Sequence, residues 1–169
     1  MAKKDKQKSY PIGLLLALVL ILEMLGAAVT GIIINSDHTW YNTLTQPIFA
    51  APSWVTSEVW IILYLFMGVA LYVAYLNKGG KHMRTVYALF SLAAVIPVLR
   101  AFFFWQLHYL VTSITLLGLE WLLVIALSLK YWHISKSASL IMIPVILWTM
   151  FSLIVGLSLL ALNGVVLTI

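Results

Sequence analysis

Residues 47–72 read PIFAAPSWVTSEVWIILYLFMGVALY, an aromatic, proline-containing turn followed directly by a long apolar segment. Pro47 and Pro52 each fix φ and remove a backbone donor, so the first six residues cannot form an ordinary helix. From about Val55 the pattern is helical, and no helix breaker follows until Asn77. Positions i, i+4, i+7, i+8 and i+11 form one face of this helix, occupied by Trp60, Tyr64, Met67, Gly68 and Leu71. Large, rigid side chains with a polar tip on such a face suit a flat apolar ligand.

The composition of the whole chain indicates a membrane protein. Of the 169 residues, 63% are hydrophobic and 9% are charged, whereas a soluble domain has about 25% charged residues. Five apolar runs are each long enough to cross a bilayer, which takes about 20 residues. We therefore predict an all-α integral membrane protein, a single domain over residues 1–169 built as a bundle of five transmembrane helices. The predicted helices cover residues 11–35, 58–77, 84–107, 109–132 and 138–162, and a loop of residues 36–57 forms a lid.

The basic residues predict the orientation in the membrane. Every Lys and Arg except Arg100 lies in the N-terminal segment, between the second and third helices, or between the fourth and fifth. By the positive-inside rule, the N-terminus is expected in the cytoplasm and the C-terminus outside, in the cytoplasmic membrane of a bacterium. Because topology explains these charges, the net charge of +5 does not indicate nucleic-acid binding. The expected partners are the lipid bilayer and a small hydrophobic ligand.

A set of aromatic, proline and glycine positions gives a family resemblance. They stand without gaps as Trp40-Tyr41, Pro47, Phe49, Pro52, Trp54-Val55, Val59-Trp60, Leu63-Tyr64, Met67-Gly68 and Ala70. This arrangement resembles the TspO/MBR family, the translocator protein or tryptophan-rich sensory protein family. In the fifth helix Pro144, Trp148, Phe151 and Asn163 also match the family pattern. In the third helix the chain departs from it, since Arg100 stands where the family has Asn.

The resemblance implies five helices, usually in a homodimer, around a cavity closed by the first loop. It also implies a porphyrin ligand, such as protoporphyrin or heme, and in some members a sterol. No cofactor, catalytic residue or metal site is expected. We therefore expect a membrane-embedded binder or sensor of flat hydrophobic ligands, foremost tetrapyrroles. The expected ligand-binding residues are Trp60, Trp148, Tyr64, Arg100, Trp40, Tyr41, Phe49, Trp54, Phe104, Phe151 and Ser152.

Two other functions fit the same sequence. A light-dependent enzyme that degrades porphyrin would need no acid–base groups, because the ligand absorbs the photon and Trp60 or Trp148 reacts. A transporter of tetrapyrroles or other small hydrophobic molecules would need an oligomer or lateral entry, since five helices without an internal repeat do not suggest alternating access. Loss of porphyrin in light would favour the enzyme, and flux into liposomes would favour the transporter.

Several aromatic residues have a structural explanation beside the functional one. Trp40, Tyr41 and Trp54 fit either a cap over the pocket or an aromatic belt at the outer membrane surface. A belt or lipid-facing position is also predicted for three tryptophans outside the family pattern, Trp105, Trp121 and Trp132.

The ionisable residues inside the predicted helices are functional candidates, because a charge within the membrane is costly. Glu23 and Glu120 fall near mid-depth, and we expect neutral carboxyl groups there, since no basic residue is expected at that depth. Arg100 lies about 24 Å along its helix from Arg84. It has three explanations: it snorkels outward from a lipid-facing position, it pairs with Glu58, or it binds a ligand carboxylate.

Overall fold

The computed structural model describes residues 12–34, 39–77 and 82–164, without the side chains of residues 12–20, 22, 23, 53, 57 and 82. Within these ranges all regular structure is helical, which confirms the predicted all-α fold. Seven helices follow one another along the chain: α1 (Ile12–Ile34), α2 (Thr39–Thr43), α3 (Ser53–Leu76), α4 (His82–Trp105), α5 (Leu110–Trp132), α6 (Lys136–Ile141) and α7 (Ile143–Asn163).

Five of these segments correspond to the predicted spans. Helices α3, α4, α5 and the α6–α7 segment are long and apolar enough to cross a membrane, and Met24–Ile34 of α1 is a shorter apolar stretch. The backbone of α1 is helical over 23 residues. The protein is therefore a helical integral membrane protein.

Two differences from the predicted helix boundaries have a clear cause in the sequence. Helix α3 begins at Ser53 rather than at residue 58, because Pro52 ends the preceding turn and its carbonyl accepts the amide of Thr56 at 3.1 Å. The polar residues 53–57 thus belong to the helix, although they lie outside the apolar run. The last span is not continuous: α6 and α7 meet at Met142, and Pro144 stands in the first turn of α7, where its missing N–H is tolerated.

The long helices surround a common interior. Helix α1 packs against α3 and α4, α4 forms an antiparallel hairpin with α5, α5 contacts α6 and α7, and α6 returns to α3. Close contact between α1 and α3 depends on small residues, since a Cβ at Gly26 would lie only 3.3 Å from the ring of Tyr64. Ala27 and Thr30 are buried in the same contact.

The loop between α1 and α3 lies over one end of this bundle. Tyr41 of the short helix α2 and Leu44, just after it, pack into an apolar cluster formed by the ends of α1, α4, α5 and α7. The other members of the cluster are Ile34, Ala101, Trp105, Leu110, Ile114 and Leu159. Residues 39–52, which we call the lid, therefore close the space between the helices at this end.

Candidate ligand-binding cavity

A cavity of about 90 Å³ lies beneath the lid and between the helices. The five long helices, α1, α3, α4, α5 and α7, and the lid all contribute to its wall. The lining residues are Ile34, Tyr41, Ala51, Thr56, Trp60, Arg100, Phe104, Trp105, Ser113, Ile114, Leu117, Trp148, Phe151, Ser152, Val155, Gly156 and Leu159. The volume is below the ~300–1,000 Å³ of pockets that enclose a drug-sized ligand. A ligand of that size therefore requires the lid or the helices to move.

Aromatic side chains of α3 and α7 form part of the wall. On α3, Trp60 is 3% exposed and its ring centroid lies 6.3 Å from that of Tyr64. On α7, Trp148 lies 5.4 Å from Phe151 between ring centroids. The indole Nε1 of Trp148 is buried and has no hydrogen-bond partner among the described residues. This part of the cavity thus combines apolar ring surface with one unused donor.

Arg100 forms an ion pair with Glu120 in the cavity wall. The Nε atom of Arg100 donates to Oε2 of Glu120 at 3.2 Å, and the two side chains are only 12% and 1% exposed. The guanidinium carbon also lies 5.1 Å from the ring centroid of Trp60. Glu58, by contrast, is exposed. The predictions of a lipid-facing Arg100, of an Arg100–Glu58 pair and of a Glu120 without a basic partner are therefore wrong.

The hairpin geometry of α4 and α5 explains why the sequence-based depths were misleading. Arg100 is five residues before the end of α4, and Glu120 is ten residues after the start of α5, so their Cα atoms differ in depth by only about 7 Å. Side chains lean toward the N-terminus of their own helix. In an antiparallel pair, the Arg100 side chain therefore leans away from the lid and the Glu120 side chain leans toward it, so that the two meet. The side chain of Glu23 lies outside the described residues.

The remaining expected ligand-binding residues divide into two groups. Tyr41, Phe104, Phe151 and Ser152 line the cavity together with Trp60, Trp148 and Arg100. Four others lie elsewhere. Tyr64 is 1% exposed and packs between α3 and α1, with its hydroxyl 3.5 Å from Oγ1 of Thr30. Trp40, which stacks on His108, also lies outside the cavity. So do the exposed lid residue Phe49 and the exposed Trp54, which stands in the first turn of α3.

Trp105 is a cavity residue that the sequence analysis assigned to the membrane belt or the lipid face. Its side chain is 7% exposed and lies 4.9 Å from Tyr41 between ring centroids. The position at the end of α4 favoured a belt, but the lid covers this end and turns it into interior. The belt interpretation of Trp105 is therefore wrong, whereas Trp132 is 48% exposed at the other end of the bundle.

The cavity face of α7 was only partly predicted. Trp148, Ser152, Val155, Gly156 and Leu159 follow one another at i, i+4, i+7, i+8 and i+11, which is one helix face. Extending the periodicity from Trp148 along the helix would have identified the last three. At Gly156 a Cβ would lie 3.1 Å from Cγ1 of Ile114, so glycine permits the close approach of α7 to α5.

Hydrogen bonds to Asn163 and an aromatic stack on His108 attach the lid to the bundle. The side chain of Asn163 accepts the amide of Thr45 at 2.8 Å and donates to the carbonyls of Thr45 and Leu159 at 2.9 Å each. At the α4–α5 turn, Trp40 stacks on His108 with 4.5 Å between ring centroids.

Burial raises the pKa of the lid residue Tyr41 above its ordinary value of 10.0, so its hydroxyl group stays neutral.

We expect Asn163→Ala to loosen the lid without unfolding the bundle. The variant loses both hydrogen bonds to Thr45, and each such bond contributes about 0.5–1.5 kcal/mol. Hydrogen exchange at the Thr45 amide should therefore accelerate about tenfold, while exchange within α5 stays unchanged. Asn77→Ala is the matched control, because Asn77 bonds only within its own helix, to the Val73 carbonyl. Equal acceleration in both variants would contradict a specific role of Asn163 at the lid.

Comparison with known proteins agrees with this architecture. The sequence model of the TspO/MBR family matches residues 15–162. The chain is 25% identical to the tryptophan-rich protein TspO of Archaeoglobus fulgidus over 150 residues, which cover 89% of this chain and 97% of that one. It is 28% identical to the protein CrtK of Rhodobacter capsulatus, over 72% of this chain and 76% of that one. It is 25% identical to the tryptophan-rich sensory protein of Cereibacter sphaeroides, over 72% and 74%. The match to the family model covers most of the chain, and the chain therefore belongs to the TspO/MBR family.

Proposed function

We propose that this protein binds a flat hydrophobic ligand, most simply a porphyrin, in the cavity beneath the lid, and acts as a membrane sensor. The observation that carries the proposal is the wall formed by Trp148, Phe151 and Phe104 around a space enclosed by the helices. Aromatic rings stack on planar ligands, and an enclosed apolar site in a membrane protein accepts molecules that dissolve in lipid. The sensory role follows the name of the Cereibacter sphaeroides relative.

Trp148 is the stacking partner that we assign to the ligand. One side of Trp60 is occupied by the guanidinium of Arg100, whereas no cation is recorded over Trp148 among the described residues. The unpartnered Nε1 of Trp148 adds a donor that a ligand acceptor would satisfy. Because the space is small, we propose that binding is accompanied by movement of the lid, whose hydrogen bonds to Asn163 are exposed.

Trp148→Ala should weaken binding of protoporphyrin IX by roughly 1–3 kcal/mol, the scale of losing one aromatic stacking partner. Titration of the purified protein in the dark, followed by quenching of tryptophan fluorescence, measures this change. Trp132→Ala is the matched control, because Trp132 is half exposed and lies outside the cavity wall. Similar losses in the two variants would mean that the cavity is not the porphyrin site, and no binding by the wild type would refute the proposed function.

We also propose that the lid faces the outside of the cell and that the α5–α6 turn faces the cytoplasm. Support comes from the absence of Lys and Arg in residues 35–57 and from Lys130 and Lys136 beside that turn. The chain has no cysteine, so single cysteines report position directly. In intact cells, an impermeant thiol reagent should label Ile48→Cys, at the fully exposed tip of the lid, and not Ser137→Cys. The reverse pattern would mean that the orientation is inverted.

A further inference from the structure

Within the described residues, the outer edge of the Arg100 guanidinium makes no hydrogen bond. Arginine carries five N–H donors, and among the described residues only its Nε–H has a hydrogen-bond acceptor, Oε2 of Glu120. The two terminal nitrogens carry the other four N–H groups, and these have no hydrogen-bond acceptor among the described residues. Because Arg100 lines the cavity and its side chain is 12% exposed, these donors are available to a ligand in the cavity.

Two contacts hold the guanidinium in place. Glu120 engages it at Nε, and the guanidinium carbon lies over the ring of Trp60, 5.1 Å from the ring centroid. Because Nε is bonded to Glu120, the terminal nitrogens are the donors left for a ligand. Glu120 is 1% exposed and so is itself held within the bundle. Together, Glu120 and Trp60 orient Arg100 before any ligand arrives.

The other buried polar atom without a partner in the cavity wall is also a donor. Nε1 of Trp148 can donate but cannot accept, and it has no partner among the described residues. Both groups are donors, so acceptors on a ligand match this wall better than donors do. A carboxylate is the strongest match, because it accepts two parallel hydrogen bonds from a guanidinium and does so most strongly away from water.

We propose that Arg100 anchors a carboxylate of the ligand through its two terminal nitrogens, and that Glu120 is the positioning residue for this contact. The inference rests on the proposed function and specifies its ligand class: a flat apolar molecule with a carboxylate at its edge. Glu120 orients the guanidinium, but its negative charge opposes that of the incoming carboxylate. Removing this charge while keeping an acceptor should therefore strengthen binding of the acid.

The test compares protoporphyrin IX, a dicarboxylic acid, with its dimethyl ester. Both are titrated in nanodiscs against the wild type, Glu120→Gln, and the double variant Arg100→Gln/Glu120→Gln, with thermal unfolding measured in parallel. The double variant is used because Arg100→Gln alone would leave Glu120 unpaired. Comparing the acid-to-ester affinity ratio between variants cancels the different partitioning of the two probes into lipid.

We expect the wild type to prefer the acid and the double variant to lose about tenfold or more of that preference. Glu120→Gln should increase the preference, which a purely structural ion pair would not do. An unchanged ratio in the double variant, or a fall in Glu120→Gln, would overturn the inference while leaving porphyrin binding intact. If neither probe binds the wild type, the proposed function itself fails, and that outcome is distinct from equal binding of acid and ester.

Discussion

Arg100→Met is expected to cost about 3–5 kcal/mol of folding free energy, the usual cost of removing one partner from a buried ion pair. Glu120 is 1% exposed, and its Oε2 accepts from Arg100 at 3.2 Å. Without Arg100, a carboxylate remains inside the bundle with no other recorded partner among the described residues. Reversible unfolding in mixed detergent micelles, followed by circular dichroism, measures the loss.

A second substitution separates the ion pair from general damage to α4. In Arg100→Met/Glu120→Leu both charges are gone, and replacing a buried pair by apolar residues is often neutral. We therefore expect the double variant to recover most of the lost stability. Arg84→Met is the matched control on the same helix, since Arg84 is exposed and such substitutions change stability by about 0.5 kcal/mol or less. A stable Arg100→Met protein, or a double variant no better than the single one, would contradict the pairing.

Tyr64→Ala should destabilise the fold by about 3 kcal/mol, the low end for deleting a buried aromatic ring, because lipid tails are as apolar as the interior of the bundle. The Tyr64 ring is 1% exposed and fills the contact between α3 and α1, within reach of Gly26 and Thr30. The same unfolding measurement detects the loss, and Tyr87→Ala serves as the control because its ring is 43% exposed.

The Tyr64 result also distinguishes two roles for this residue. Tyr64 shares a helix face with Trp60, and its position on that face predicted a contact with the ligand. In the structure, the Tyr64 ring lies instead in the contact between α1 and α3. If Tyr64→Ala keeps its stability and loses porphyrin affinity, the ring acts on the ligand and not on the packing. If stability falls and Tyr87→Ala is unaffected, the packing role is supported.

Local patterns were sufficient for most of the fold. The apolar runs predicted five spanning helices, because a single segment in lipid can satisfy its own backbone hydrogen bonds only as a helix. Pro47 and Pro52 predicted the irregular segment before α3, because proline supplies no backbone donor. The face that begins at Trp60 is buried, with Met67 and Leu71 2% and 4% exposed, but it was expected to hold the ligand, and of these three residues Trp60 is the one that lines the cavity. Each of these conclusions depends on residues close together in the chain.

The candidate site was predictable only where one helix face carried it. Trp148, Phe151 and Ser152 lie together on α7, and periodicity alone places them on neighbouring surfaces. Trp105 was misassigned because a tryptophan at a helix end looks like an interfacial anchor. Only the lid, which packs Tyr41 against it, makes that position interior. Sequence spacing places the loop and Trp105 at the same end of the bundle, but it does not show that the loop folds over that end and packs against Trp105.

The sequence by itself determined the membrane class, the helices and the family, because hydrophobicity, proline positions and gap-free motif spacing are local properties of the chain. Tertiary structure alone decided that Arg100 meets Glu120, 20 residues away, and that Asn163 holds Thr45, 118 residues away. Both contacts depend on how far helices are rotated and offset against one another. Those quantities are set by the packing of all the helices together, through close contacts such as Gly26 with Tyr64 and Gly156 with Ile114. The Arg100–Glu120 pair in the cavity wall therefore depends on the packing of the helices and could not be predicted from the positions of the two residues in the sequence.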